Sequence, residues 1–122
     1  MAKVPKPERH PKKLVARFYA TAGGSEPVRE WLKRLDAEDC KIIGDDIATV
    51  EFGWPIGMPV CRPLSGGLFE VRSMLAGNRI ARVLFCTAKG ELLLLHGFEK
   101  KTRNTPVADL ALAKKRMKEI AE

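Results

Sequence analysis

Residues 91–106, ELLLLHGFEKKTRNTP, leave this chain few ways to fold. Four consecutive leucines at 92–95 form a short apolar run, which reads as a strand buried on both faces. The run continues through His96, Gly97 and Phe98 and then becomes charged, with Glu99, Lys100, Lys101 and Arg103 in five positions. Asn104, Thr105 and Pro106 follow, the polar cap and N1 proline with which helices begin. A buried strand ending in three cations has two readings. Rigid backbone holds positive charge where an anion comes, or the charge solvates a strand-to-helix loop. The window allows both.

The charge elsewhere sharpens the choice. The 122 residues carry a formal net charge of +7. Residues 1–13 hold five basic groups and one acidic group, and residues 26–51 hold four basic and eight acidic. Residues 72–103 hold seven basic groups (Arg72, Arg79, Arg82, Lys89, Lys100, Lys101, Arg103) against two acidic ones. The molecule is therefore expected to have an acidic end and a basic end. A basic concentration on the sheet segment suits a polyanion, most often nucleic acid; solubility charge is the plainer alternative.

At 122 residues and 45% hydrophobic content, one domain with one core is expected. No run approaches the ~20 apolar residues of a membrane span, and the N-terminus lacks the apolar centre of a signal peptide. Cys40, Cys61 and Cys86 show no C-x-x-C spacing and read as free thiols in a reducing cytoplasm. With only His10 and His96 available, a zinc site is not expected. Nothing else in the composition calls for a metal or cofactor.

Taken in order, residues 1–13, with three prolines and five cations, predict a disordered basic tail, and residues 14–122 a single domain. A first strand is expected over 14–19, carrying Tyr19, the only tyrosine, which suits packing better than chemistry. Ser25 caps a helix whose stripe is Val28, Trp31, Leu32 and Leu35. A second helix starts near Asp36, buries Cys40, Ile43, Ile47 and Val50, and stops near Gly53. The two form a helical hairpin. Its Asp45-Asp46 pair has no companion ligands and reads as a solvated face. Residues 54–67 are expected to be a loop pinned by Ile56, Met58, Val60 and Leu64. Strands over 68–74, 79–87 and 91–98 are joined by tight turns, giving an antiparallel meander. Glu70 and Arg72 share one face of the first of these, Phe69 and Val71 the other. Arg82 interrupts an apolar strand, which is costly unless it meets water or an anion. Arg72 and Arg82 can lie as neighbours on one sheet face, opposite the face covered by the helices; the plainer alternative is an internal salt bridge of Arg72 or Arg82 with Glu70. The last helix, 106–121, presents Leu110, Ala113, Met117 and Ile120. The expected class is α+β, in the order β-α-α-β-β-β-α.

Three runs, LFEVR at 68–72, RIARVLF at 79–85 and LHGFEKKTRNTP at 95–106, resemble the phage-derived HigB-like toxins of the RelE/ParE toxin–antitoxin superfamily. The resemblance spans residue 14 to the C-terminus. It implies a RelE/ParE-like fold: a small antiparallel sheet with the helical hairpin on one face, a concave opposite face and a C-terminal helix. It also implies a cytoplasmic, ribosome-dependent mRNA endoribonuclease that needs no metal, neutralised by a helix-turn-helix antitoxin. In that chemistry the ribose 2′-OH attacks the adjacent phosphate, leaving a 2′,3′-cyclic phosphate and a 5′-OH. By the resemblance, Arg72, Arg82, Lys100 and Lys101 are catalytic, and Arg79, Lys89, Arg103 and His96 contact RNA. The chain departs from the better-known members in lacking a tyrosine or histidine on its last helix. His96 is the one side chain of the right type for a base at neutral pH, and a structural role fits its apolar strand better. The alternatives are a ParE-type gyrase poison and an inactive remnant that only binds antitoxin.

Overall fold

The structure, a computed structural model, describes residues 11–100 and 105–121. Five strands form one mixed sheet: β1 (Val15–Phe18), β2 (Cys61–Pro63), β3 (Phe69–Met74), β4 (Ile80–Ala88) and β5 (Glu91–Lys100). Their spatial order is β1-β5-β4-β3-β2. Three helices complete the fold: α1 (Pro27–Lys33), α2 (Ala37–Gly53) and α3 (Val107–Ala121).

The leucine run behaves as its composition demands. Leu92 and Leu94 enter the core beneath α1 and α2, with Val28, Ile43, Ile47, Val50, Val71, Val83 and Phe85. Leu93 and Leu95 enter a second core on the other face, with Leu68, Leu84, Cys86 and Ala113, under Leu110, Met117 and Ile120 of α3. The sheet thus lies between the helical hairpin and the last helix. An open concave opposite face, as the resemblance implied, is not what the apolar half of that face shows, because α3 covers it.

Two other expectations are corrected. The sheet is not wholly antiparallel, since β1 pairs with β5 in parallel, Val15 opposite Glu91 through Phe18 opposite Leu94. The helical hairpin supplies the crossover that a parallel pair requires. The segment 54–67 is not all loop. Cys61–Pro63 pairs antiparallel with β3, giving one strand more than the expected order. Pro63 is tolerated there because an edge strand needs no donor on its outer side. Trp54 anchors this segment edge-on to Phe69, with ring centroids 4.8 Å apart. Ile56 and Val60 pack against the hairpin core and Leu64 against the other, but Met58 is exposed. The first helix starts one residue later than expected, with Glu26 at the cap and Pro27 in its first turn.

Most of the expected basic tail, residues 1–10, lies outside the described residues. Its last part is docked: Lys13 N–H donates to the Glu51 carbonyl and Lys12 Nζ lies 3.1 Å from the Glu51 carboxylate. That carboxylate also accepts the Ala16 N–H at 2.7 Å. Glu51 thereby closes the outer edge of β1, which would otherwise offer a free donor to a stray strand.

Gly97 is required by packing. A Cβ there would lie 2.4 Å from Cε3 of the Trp31 indole. Gly97→Ala is expected to lower stability by about 1–3 kcal/mol, the usual cost of overpacking, read as a lower urea midpoint. Trimming the ring in the same background, Trp31→Leu, should recover part of the loss. An unchanged midpoint for Gly97→Ala would show that the indole moves freely.

The ladder between β4 and β5 slips by one residue: Leu84 faces His96 while Phe85 faces Leu94, leaving Leu95 as a bulge. A one-residue insertion exchanges the faces of everything after it. Before the bulge the even positions Leu92 and Leu94 face the hairpin. After it Gly97 meets Trp31 of α1, and Glu99 meets the hairpin side, while Phe98 joins the core under α3.

Candidate functional site

On the face that carries α3, the register brings the strand arginines together. Arg72 of β3 is directly opposite Arg82 of β4, and Arg82 is directly opposite Phe98 of β5. The neighbouring row is Glu70, Leu84 and His96. Directly opposed side chains in a sheet lie about 5 Å apart, so two guanidiniums, one carboxylate and one imidazole occupy a patch two residues deep.

These groups are not equivalent. Arg82 is sealed: its Nη1 donates to Glu70 Oε1 at 2.8 Å, with side-chain exposures of 1% and 0% for the pair. Thr105, just before α3, donates its hydroxyl to the other oxygen of Glu70 at 3.3 Å. Of the two pairings the sequence left open, it is Arg82 that takes the carboxylate. Arg82 was expected as a phosphate donor facing outward; its burial places it behind the surface, where its charge is largely offset. Arg72 is half-buried, and its Nε is shielded from water without a hydrogen-bond partner among the described residues. It also lines a shallow cleft of about 230 Å³ with Ile42, Asp46, Pro59, Val60 and Met74.

His96 turns toward α3. Its Nε2 lies 2.5 Å from Oδ1 of Asp109 in the first helical turn, and its ring stacks on Phe98 with centroids 5.2 Å apart. Asp109 is well placed for the positive end of the helix. The pair pins the start of α3 to β5. The far end is pinned separately. Tyr19 is buried and donates its hydroxyl to Glu119, under the Arg116 guanidinium, which itself donates to the Leu95 carbonyl. That hydrogen bond and burial raise the phenol's pKa, so Tyr19 fastens the helix, as its expected packing role required.

Of the remaining expected residues, Arg79 and Lys89 do not join the patch. Arg79 is bound on the hairpin side to Asp39 and Glu99. Lys89 sits in the β4–β5 turn with φ 52°, at the end of the hairpin opposite Lys100. Lys100 pairs with Ile80 in the ladder. Its side chain, and Lys101 and Arg103, lie outside the described side chains. Two residues that sequence reasoning did not place at the site belong to the patch: Asp109, and Thr105, which was read only as part of a helix start. Their signal was position only, in the first turn of α3 and at its approach. Burial, with the nearby Glu70 carboxylate, pushes the Cys61 thiol up to about 11, and burial raises Cys86 as well. All three cysteines are unpaired, and the two buried ones serve as core. No group of His, Cys, Asp and Glu able to hold a metal ion occurs among the described residues, and no described helix is long and apolar enough to cross a membrane.

The model of the family described as phage-derived protein Gp49-like (DUF891) matches residues 30–118, most of the chain and all of this patch. The chain belongs to the Gp49-like family. This family falls among the RelE/HigB-like toxins of toxin–antitoxin systems, the group whose motifs the strands and the post-strand run resemble. A search of curated proteins finds no match. Within the Gp49-like match, β3, β4, β5 and the start of α3 supply every side chain of the patch.

Proposed function

We propose that this Gp49-like protein is the toxin of a type II toxin–antitoxin pair and a metal-independent endoribonuclease acting on ribosome-bound mRNA in the cytoplasm. The observation that carries the reading is Arg72, a half-buried guanidinium beside a second arginine, with an Nε still to be satisfied among the described residues. A guanidinium fork holds two phosphate oxygens at once. As the 2′-OH attacks, charge grows on those oxygens, and cations already in place stabilise it without reorganising. Arg82, fixed by Glu70, orients the patch from behind. Lys100, the last residue of β5, and Lys101 and Arg103 after it supply further charge. His96, held by Asp109 in the row beside the arginines, is the imidazole among the described residues that takes the proton role.

Two arginines and two lysines bind RNA weakly and in a salt-dependent way. The ribosome then supplies orientation, the larger part of the rate. The helical hairpin packs on the other face of the sheet, with Asp46 of α2 reaching the edge cleft beside Arg72, and an antitoxin, expected to be a helix-turn-helix protein, is expected to cover the arginine face. A second reading, a ParE-type gyrase poison or an antitoxin-binding remnant, is favoured by one observation: Glu70 offsets Arg82, which reduces the cations available for cleavage.

Brief induction followed by primer extension separates the readings. Cleavage within translated codons, absent from purified mRNA without ribosomes, is the expected result. Growth arrest with gyrase–DNA breaks and intact mRNA would replace it with the second reading.

A further inference from the structure

One guanidinium ties three parts of the fold together. Arg79 Nη1 donates to Asp39 Oδ2 at 2.9 Å and to Glu99 Oε1 at 3.0 Å; its Nη2 donates to Asp39 Oδ1 at 3.1 Å and its Nε to the Ala76 carbonyl at 3.0 Å. Asp39, in the first turn of α2, is 4% exposed. Ala76 lies in the β3–β4 turn, and Glu99 is the penultimate residue of β5. A fork bound edge-on to a buried carboxylate has a fixed direction. Its remaining hydrogen bond therefore fixes where Glu99, and so the end of β5, can sit.

The next residue is Lys100, where the basic segment begins. We propose that Arg79 is a positioning residue rather than an RNA contact: it clamps the end of β5 to α2 and so sets the strand position from which the basic run that begins at Lys100 continues. The clamp itself stands on the geometry; its effect on cleavage rests on the ribonuclease reading above. The bulge at Leu95 makes the clamp possible, because without it Glu99 would face α3.

Glu99→Gln replaces the charged arm with a weaker neutral acceptor and leaves Arg79 on Asp39. Arg79→Lys keeps the charge and loses the fork. Both are measured by hydrogen exchange of the peptide spanning the end of β5, by melting temperature, and by ribosome-dependent cleavage as kcat and KM. The expected result for Glu99→Gln is a folded protein with faster exchange at the end of β5. Its kcat falls about tenfold or more, as small misplacements of reacting groups cost, with little change in KM. Arg79→Lys should behave alike. If Arg79 instead touches RNA, Glu99→Gln removes a competing negative charge from the guanidinium and cleavage holds or rises, which overturns the proposal. Unchanged exchange in both variants overturns the clamp. If the wild-type protein does not cut, the ribonuclease reading falls and takes the positioning role with it. The exchange data then still decide whether the clamp exists.

Discussion

Glu70→Ala is expected to come close to unfolding the protein. The carboxylate is fully buried and holds the equally buried Arg82 at 2.8 Å, with Thr105 on its second oxygen. Removing one member of such a pair leaves the other charge inside without its partner carboxylate, at a cost of about 3–5 kcal/mol. A domain of this size has about 5–15 kcal/mol to lose. The expected signature is a large drop in the urea midpoint and loss of soluble protein at growth temperature. Replacing both members with apolar groups of similar volume, Glu70→Leu with Arg82→Met, should recover most of the stability, because neither desolvated charge remains. A fall of less than ~1 kcal/mol for Glu70→Ala, the range of surface pairs, would show that the pair is solvated in solution. Arg82→Ala is expected to lose its fold first, so its loss of toxicity follows from unfolding and not from lost catalysis.

Arg72→Ala is expected to separate catalysis from folding. Arg72 is half-buried and no carboxylate binds it among the described residues. Its removal should therefore leave the melting temperature nearly unchanged. If its fork stabilises the charge developing on the phosphate, cleavage falls about 10²-fold or more, as when one oxyanion donor is lost. Arg72→Lys should recover only part of the rate, since a lysine offers a point charge in place of a fork. Antitoxin binding is retained in both, which proves them folded. Full ribosome-dependent cleavage in a folded Arg72→Ala would remove the residue on which the proposed function chiefly rests. The gyrase reading would then stand ahead.

The resemblance and the residues each contributed something different to this site. The pairing of Arg72 with Arg82 follows from two alternating strands joined by a tight turn, and both arginines were legible as a same-face pair. What alternation cannot express is depth. Arg72 and Arg82 occupy equivalent positions in the pattern, yet one reaches solvent and the other is closed in, because α3 and its approach lie over one end of the face. Arg79 and Lys89 looked like members of the same basic group only because they are close in the chain. A strand of nine residues carries its two ends roughly 25–30 Å apart, so nearness in sequence scattered these cations over both ends and both faces.

The sequence alone determined most of the elements and most of the core. Leu92–Leu95 demanded a central strand with apolar cover on both sides; the stripes Val28–Leu35, Ile43–Val50 and Leu110–Ile120 determined which helix faces would supply it. Periodicity reports such local facts because each depends on neighbours within one turn or one pleat. The direction of β1, the added edge strand Cys61–Pro63 and the bulge at Leu95 were decided only by the tertiary structure. Each is a relation between segments far apart in the chain, and none changes the local pattern that a sequence displays. The bulge matters most. Simple alternation along β5 would turn His96 toward the helical hairpin, together with Leu92 and Leu94. One extra residue in the ladder turns it instead to Asp109 and the arginines, and turns Glu99 to Arg79.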